Sequence, residues 1–376
     1  MKQQTKYSNV VIDVGSGLVK AGFGGEDGPR SIFNSIVGTP KQVGLMVGME
    51  LKERYVGDDA ISKYEIMNFS YPIQRGEVTD WDKFENLMHY LLYSEMKVVP
   101  EEVSILITES PRTSRENREK LTEILFETFN VKRLHIANSS MLGLFSYGKT
   151  SGLIVDSGFN ITSTVPVYEG YPLSHASIRI NIGGEDLSKN LLSMIQNNLD
   201  ETYIDTKGRI LADDIKEKLG YLLLNPDDGD DVKDVTYELP DGKKIDLSKE
   251  LYKANEILFS PNEENEKEKG LLSIKNMVID SINKCDNEIK NDIKENICLT
   301  GGTTLLKNFP EKLKNELSES SEGTNFNLSA EQERLFSTWI GGSIVSSLDN
   351  FQFMWVNKKE YTDNGKNLLV IDSKCF

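Results

Sequence analysis

One short pattern occurs twice in this chain of 376 residues: an apolar, β-branched run ending in aspartate, one further residue, a glycine, and a second apolar run. The first copy is Asn9–Asp13 (NVVID), Gly15-Ser16-Gly17 and Leu18–Phe23; the second is Gly152–Asp156 (GLIVD), Ser157-Gly158 and Ile161–Tyr168. A strand, a glycine turn and a second strand read as a β-hairpin. Its recurrence suggests two related α/β halves.

The rest of the chain fits that scheme. Val103–Ile107 (VSILI) reads as a buried strand. Ser114–Phe129 places Leu121, Ile124, Leu125 and Phe129 at helical spacing. Leu134–Ala137 reads as a strand and Met141–Tyr147 as a buried helix running to Gly148. Helices are expected over Asp186–Asn198, Asp213–Leu224, Leu271–Lys284, Phe309–Leu317 and Trp339–Leu348. Asn296–Thr300 is a strand entering a third glycine turn, Gly301-Gly302-Thr303-Thr304. Asn225–Asp246 is acidic and loop-rich, with a turn at Leu239-Pro240-Asp241-Gly242. Asn262–Lys269 (NEENEKEK) is wholly polar and reads as a solvated loop, and Ser318–Gly323 as a flexible link. Alternating strands and helices make this an α/β fold.

A net charge of −16 argues against a general nucleic-acid binder, which needs excess Lys and Arg to displace phosphate counterions. The three cysteines, Cys285, Cys298 and Cys375, lack metal-ligand spacing and do not suggest a disulfide framework, so a reducing compartment is expected. No run approaches the roughly 18 apolar residues of a membrane helix, and the polar MKQQTKYSN start lacks a signal-peptide core.

Glycine turns after strands let backbone N–H groups approach phosphate oxygens. Asp13 and Asp156 stand at strand ends beside two such turns, where a carboxylate can orient water on a Mg2+ ion. Lys20 shares a strand face with Leu18 and can carry charge toward phosphates. Any one of these turns alone reads as an ordinary hairpin; the paired motif with the third turn favours a phosphate cleft between two halves. Neither GxxxxGK[ST] nor GxGxxG occurs, so P-loop and Rossmann readings have no support.

The segment Ile12-Asp13-Val14-Gly15-Ser16-Gly17-Leu18-Val19-Lys20-Ala21-Gly22-Phe23 resembles the first phosphate loop of the actin family. Asp27-Gly28-Pro29-Arg30, Tyr55-Val56-Gly57-Asp58, Tyr71-Pro72-Ile73, Phe126-Glu127-Thr128-Phe129-Asn130 and Thr164-Val165-Pro166 follow in that family's order. So do Asp214-Ile215-Lys216-Glu217-Lys218-Leu219, Tyr237-Glu238-Leu239-Pro240-Asp241-Gly242, Trp339-Ile340-Gly341-Gly342-Ser343-Ile344 and the final Lys374-Cys375-Phe376. The resemblance covers nearly the whole chain outside about 195–210, 225–235 and 262–275.

The resemblance implies an actin-like ATPase fold of four subdomains. The first half is 1–146 plus 338–376, with its second subdomain near 35–72; the other half is 147–337, with its fourth subdomain near 184–272. It implies ATP or ADP with Mg2+ or Ca2+. Gly15, Ser16, Gly17, Leu18 and Lys20 would hold phosphates from one side, and Asp156 and Gly158 from the other. Asp13 and Asp156 would order the metal's water shell. Gly184, Lys216, Glu217, Gly301, Gly302, Thr303 and Leu305 would line the base and ribose region. Without the family, Lys216-Glu217 reads as a solvated helix face. Phe145, Gly148, Ile344, Val345, Leu348 and Met354 match a C-terminal groove in which partners insert a helix; each alone also reads as core.

Departures from the family pattern cluster. Ser139 stands where actin-like ATPases carry the glutamine that positions the attacking water, and Ser163 where actin has a histidine in the water network. Phe159 replaces an acidic residue, Leu305 and Leu306 a Met-Tyr pair, Leu335 a lysine and Arg75 a histidine. Asn262–Gly270 stands in place of an apolar plug between filament strands, and charged side chains resist burial there. Lys41–Met49 stays close to the family's longitudinal contact loop, while Lys2 and Lys6 replace acidic residues. These changes point to a nucleotide-binding structural subunit of a cytoskeletal or motor complex. Hydrolysis would be slow or absent, conventional filaments impaired, and the setting cytoplasm or cytoskeleton, with axoneme or nucleus as further sites. The competing reading is a divergent actin that polymerises and hydrolyses ATP. A sugar kinase or Hsp70-like chaperone sharing the fold fits less well, because the Trp339 segment and the Lys374-Cys375-Phe376 end are actin features.

Overall fold

In a computed structural model the described residues are 9–41, 53–200, 203, 206–225, 229, 233–261, 272–320, 326–364 and 369–375. The strands, in order, are Asn9–Val14 (β1), Leu18–Phe23 (β2), Ser31–Asn34 (β3), Val37–Pro40 (β4), Tyr55–Val56 (β5), Met67–Ser70 (β6), Ile73–Gln74 (β7), Glu77–Val78 (β8), Ser104–Glu109 (β9) and Arg133–Asn138 (β10). They continue with Gly152–Ser157 (β11), Thr162–Tyr168 (β12), Tyr171–Pro172 (β13), Ile178–Ile180 (β14), Val235–Glu238 (β15), Lys244–Leu247 (β16), Ile297–Thr300 (β17), Leu328–Ser329 (β18) and Val356–Asn357 (β19). The chain divides into two compact units, Met1–Ile154 with Val167–Ser174 and Phe336–Phe376, and Val155–Pro166 with His175–Leu335.

The first unit is built on a six-stranded sheet in the order β19-β10-β9-β1-β2-β3. β9 pairs parallel with both β1 and β10, while β1 and β2 form an antiparallel hairpin that places Asp13 opposite Lys20. The NVVID and VSILI runs lack alternation because both faces of these strands are covered: Val10, Ile12, Ile105 and Ile107 join one core, Val11 and Leu106 another. The second core is closed by two buried helices, Ser139–Ser146 and Ser337–Ser347. They pack so closely that a Cβ on Gly341 would lie 1.8 Å from the Leu142 carbonyl oxygen. Trp339, fully buried, donates its indole N–H to the Val11 carbonyl at 3.0 Å.

The second six-stranded sheet runs β13-β12-β11-β17-β18, with β14 on β12. In the second unit the helices Gly184–Ile195 and Thr206–Leu219 share a core with Tyr203, Leu247 and Leu251.

Several elements differ from the sequence expectation. The helix expected from Asp213 begins at Thr206 and stops at Leu219, not Leu224, ahead of Gly220. Ser114–Phe129 is an α-helix over Arg115–Glu123 that widens to π-helix over Ile124–Thr128. Within the stretch read as loop-rich, the turn at 239–242 joins β15 and β16 as an antiparallel hairpin. Those strands escape pattern reading because β15 is almost wholly exposed. The helix from Phe309 runs to Glu319, into the segment read as a link. The NEENEKEK segment, Lys2, Lys6 and nearly all of the 41–49 loop lie outside the described residues. No helix among the described residues is long and apolar enough to cross a membrane.

The C-terminal residues seal the first unit. Cys375 is buried, and its Sγ accepts from the Ile136 N–H at 3.2 Å and lies 3.5 Å from His135 Nδ1. Burial pushes the Cys375 thiol up to about 12. His135 Nδ1 also meets the Met354 carbonyl at 3.1 Å. Burial pushes the His135 imidazole down to about 4 from its ordinary 6.5. A depressed histidine is neutral when folded but protonates when unfolded. Its contribution is therefore intact above pH 6.5 and lost progressively as pH falls from about 6.5 to about 4, by about 3 kcal/mol in all. Urea titrations across that range are expected to give a steep acid limb in the wild type and a limb shallower by about that amount in His135→Leu. Parallel limbs would remove His135 as the cause.

Candidate functional site

Both aspartates of the repeated motif are held alike. Asp13 is buried at the end of β1. Its Oδ2 takes the Lys20 ammonium at 2.9 Å, and its Oδ1 accepts from Thr108 Oγ1 at 2.8 Å. Thr108 belongs to the adjacent strand β9, and its Oγ1 also accepts from the Val14 N–H at 3.3 Å. In the second unit Asp156 Oδ1 accepts from Thr300 Oγ1 at 2.9 Å, again from the neighbouring strand, β17. The turns match as well: Gly15 N–H donates to the Leu18 carbonyl at 3.0 Å and Gly158 N–H to the Ile161 carbonyl at 2.9 Å. The sequence offsets from aspartate to glycine to acceptor are the same in both hairpins.

In the first turn the backbone N–H groups of Ser16 and Gly17 donate to no acceptor among the described residues. Ser16 Oγ accepts from the Gly76 N–H at 3.4 Å, and the Gly17 carbonyl from the Ser35 N–H at 2.9 Å, so the turn is tied from outside while its own amides stay available. Adjacent turn amides without an acceptor are the kind of donors with which a backbone can receive an anion. Leu18 is half-buried at the start of β2.

In the second unit the Gly158 carbonyl accepts from Thr303 Oγ1 at 2.8 Å and from the Gly184 N–H at 2.9 Å. The third glycine turn thus sits directly on the second hairpin. Gly301 has φ +88°, and a Cβ there would stand 2.3 Å from the Ser157 carbonyl oxygen, so no other residue fits. Gly302 begins a short 3-10 turn to Leu305, in which Thr303 is buried and Leu305 exposed. Among the described residues no group of three or more His, Cys, Asp and Glu side chains is placed to ligate a metal directly.

Residues 4–376 match the family model described as Actin. The chain belongs to the actin family. Of the residues that the actin resemblance implied for a nucleotide site, Gly15, Ser16, Gly17, Leu18, Lys20 and Asp13 come together in the first unit, while Asp156, Gly158, Gly184, Lys216, Gly301, Gly302 and Thr303 do so in the second. Lys216 is buried, whereas Glu217 faces outward. The solvated-face reading fits only the second of them.

At the positions where this actin-family chain departs from the pattern, Ser139 opens the helix Ser139–Ser146, capped by the Asn138 side chain through the Ser140 and Met141 N–H groups. Ser163 is fully buried in β12, and its Oγ has no hydrogen-bond partner among the described residues. Phe159 lies under the Arg209 guanidinium, 5.6 Å from its ring centre. The residues named for the C-terminal groove separate by exposure. Ile344 and Leu348 are 42% and 52% exposed, Phe145 and Met354 are half-buried, and Val345 is core.

Sequence reasoning missed Thr108 and Thr300, whose only signal is a hydroxyl one position before Glu109 or Gly301 at a strand end. It also missed Phe353, 80% exposed. Thr108→Val and Thr300→Val are each expected to destabilise the protein by about 1–3 kcal/mol, because each leaves a carboxylate oxygen without its donor. The double variant is expected to be additive within about 0.5 kcal/mol, since the two share no partner. Chemical denaturation of the four proteins tests both claims; a neutral single variant would remove the threonine's supporting role.

Proposed function

We propose that this actin-family chain binds ATP or ADP with a divalent cation, Mg2+ or Ca2+. It serves as a structural subunit of a cytoskeletal or motor-associated assembly and hydrolyses ATP slowly or not at all. The observation that carries the reading is the duplicated hairpin: a threonine-held aspartate at a strand end with a glycine turn after it, once in each unit.

The residues present fit such a ligand. The free Ser16 and Gly17 amides suit phosphate oxygens, and Lys20 adds a positive charge next to them. In the second hairpin the Gly158 N–H is taken by the Ile161 carbonyl, so Gly158 would contribute by the close backbone approach that its missing side chain allows. Asp13 and Asp156, acceptors only when ionised, suit the water shell of a hard cation that retains several waters. When bound, the cation supplies charge neutralisation on the phosphates. Gly301, Gly302, Thr303 and Leu305 would line the base and ribose side, with Leu305 offering contact area but no hydrogen bond.

Hydrolysis needs more than holding. A water must be aimed at the phosphate, and in phosphoryl transfer positioning and charge stabilisation are most of what a protein supplies. Ser139 is shorter than glutamine by two heavy atoms' reach. Ser163 is buried within its own sheet, away from solvent. The Phe159 side chain accepts no hydrogen bond. Binding without efficient turnover follows. The exposed Ile344, Leu348 and Phe353 beside half-buried Phe145 and Met354 would receive an amphipathic helix from a partner subunit.

Calorimetric titration with ATP and ADP in Mg2+ is expected to show binding of both, with phosphate release orders of magnitude below that of a polymerising actin. Ser139→Gln is expected to raise phosphate release by about tenfold or more. Actin-like phosphate release together with filaments that pellet in Mg-ATP would overturn the structural-subunit reading. An unchanged rate in Ser139→Gln would remove Ser139 as the cause of slow turnover.

A further inference from the structure

Lys216 lies in a strongly charged run, Asp213-Asp214-Ile215-Lys216-Glu217-Lys218, on the helix Thr206–Leu219, but its side chain leaves the surface. The residue is 8% exposed. Its Nζ donates to the Gly184 carbonyl at 2.9 Å, to Ser188 Oγ at 2.6 Å and to Asp213 Oδ1 at 3.2 Å. An ammonium carries three protons, so these three acceptors use every donor it has. Ser188 Oγ itself donates to Asp213, and the Ser188 hydroxyl also lies 3.0 Å from the Gly184 carbonyl, which closes the cluster.

Gly184 is where this cluster meets the candidate site. It is the first residue of the helix Gly184–Ile195, and its N–H donates to the Gly158 carbonyl at 2.9 Å. The next amide, Glu185 N–H, donates to the Phe159 carbonyl at 2.8 Å. The second hairpin therefore caps this helix, and the Gly158 carbonyl also carries Thr303 Oγ1 at 2.8 Å. Two consecutive peptide groups, Gly183–Gly184 and Gly184–Glu185, link the glycine turn on one side to the buried lysine on the other.

We propose that Lys216 is a positioning residue for the second hairpin. It fixes the Gly184 peptide, and through it the Gly158 turn, with every proton of its ammonium already committed. The inference rests on the nucleotide-binding function proposed above and sharpens it, because it moves the lysine's effect from the nucleoside to the phosphates. A direct contact to a nucleoside would require the ammonium to abandon one of three buried acceptors, leaving that acceptor unpaired.

The two roles separate in a ligand series. Lys216→Met keeps the length and volume of the stem and removes the three bonds. Positioning predicts that ATP and ADP each bind about tenfold more weakly while adenosine, read by competition, is unchanged within about twofold. A direct contact of the ammonium with base or ribose predicts an equal loss for all three ligands. Ser188→Ala removes one of the three acceptors and is expected to shift ATP and ADP in the same direction by about threefold, again sparing adenosine. It carries the test alone should Lys216→Met fail to fold. Unchanged ATP affinity in the folded variant, or an equal loss of adenosine, overturns the inference. Wild-type protein that binds neither ATP nor ADP overturns instead the function on which it rests.

Discussion

Two carboxylates at strand ends, Asp13 buried and Asp156 half-buried, set the terms for the rest of the molecule. A carboxylate removed from water is costly unless its oxygens are given donors. Asp13 receives a lysine from its own hairpin and a threonine from the next strand; Asp156 receives a threonine from its neighbour. The threonine donors are separated from their aspartates by 95 and 144 positions in the chain, so neither of these bonds forms until its sheet has assembled. The two glycine turns are thus products of strand pairing, and the parallel register of β1 on β9 is as much a part of the candidate site as the glycines.

That dependence explains what was legible in the sequence. The hairpins were visible because a β-branched run, an aspartate and a glycine turn are adjacent in the chain. The helix Ser337–Ser347 was visible because small and apolar residues run through it with no charged one among them, which marks a largely buried helix. Thr108 and Thr300 were invisible, because a threonine in a strand is unremarkable until the strand beside it is known. Without the family resemblance, the burial of Lys216 was invisible for a related reason. In a run of alternating charges a lysine belongs to solvent by default, and only the arrival of the Gly184 carbonyl and Ser188 from another helix turns it inward. Local pattern shows where chain reversals fall; it does not show which distant atom completes a polar group's shell.

The same logic governs the C-terminal end of the first unit. Arg118 bridges Glu109, next to Thr108 on β9, and Asp372 near the chain's end at 2.8 Å. Burial raises the Glu109 carboxyl, and the guanidinium works against that rise. Lys374 in turn reaches Glu360 at 2.9 Å and the Trp355 carbonyl at 3.1 Å. The final residues therefore complete polar groups rather than trail from the surface. This accounts for the family-like Lys374-Cys375 ending in a chain that departs elsewhere: the lysine and the buried thiol both close contacts inside the first unit.

Holding and aiming respond differently to sequence change. A polyanion held by several amides and a lysine loses only a fraction of its binding when one donor is altered, because each contributes a modest share. Aiming a water depends on one side chain of the right length at one place, and an ångström of misplacement costs about a hundredfold in rate. A member of this family under relaxed constraint on turnover therefore loses aiming first and holding last. The pattern here has that asymmetry. The glycines, Lys20, Asp13 and Asp156 stand with their hydrogen bonds made, while the changed residues are Ser139, Ser163 and Phe159. Had the whole site drifted without selection, the threonine-held aspartates would have been the first to go, since a buried carboxylate that binds nothing is a standing cost that an apolar replacement removes.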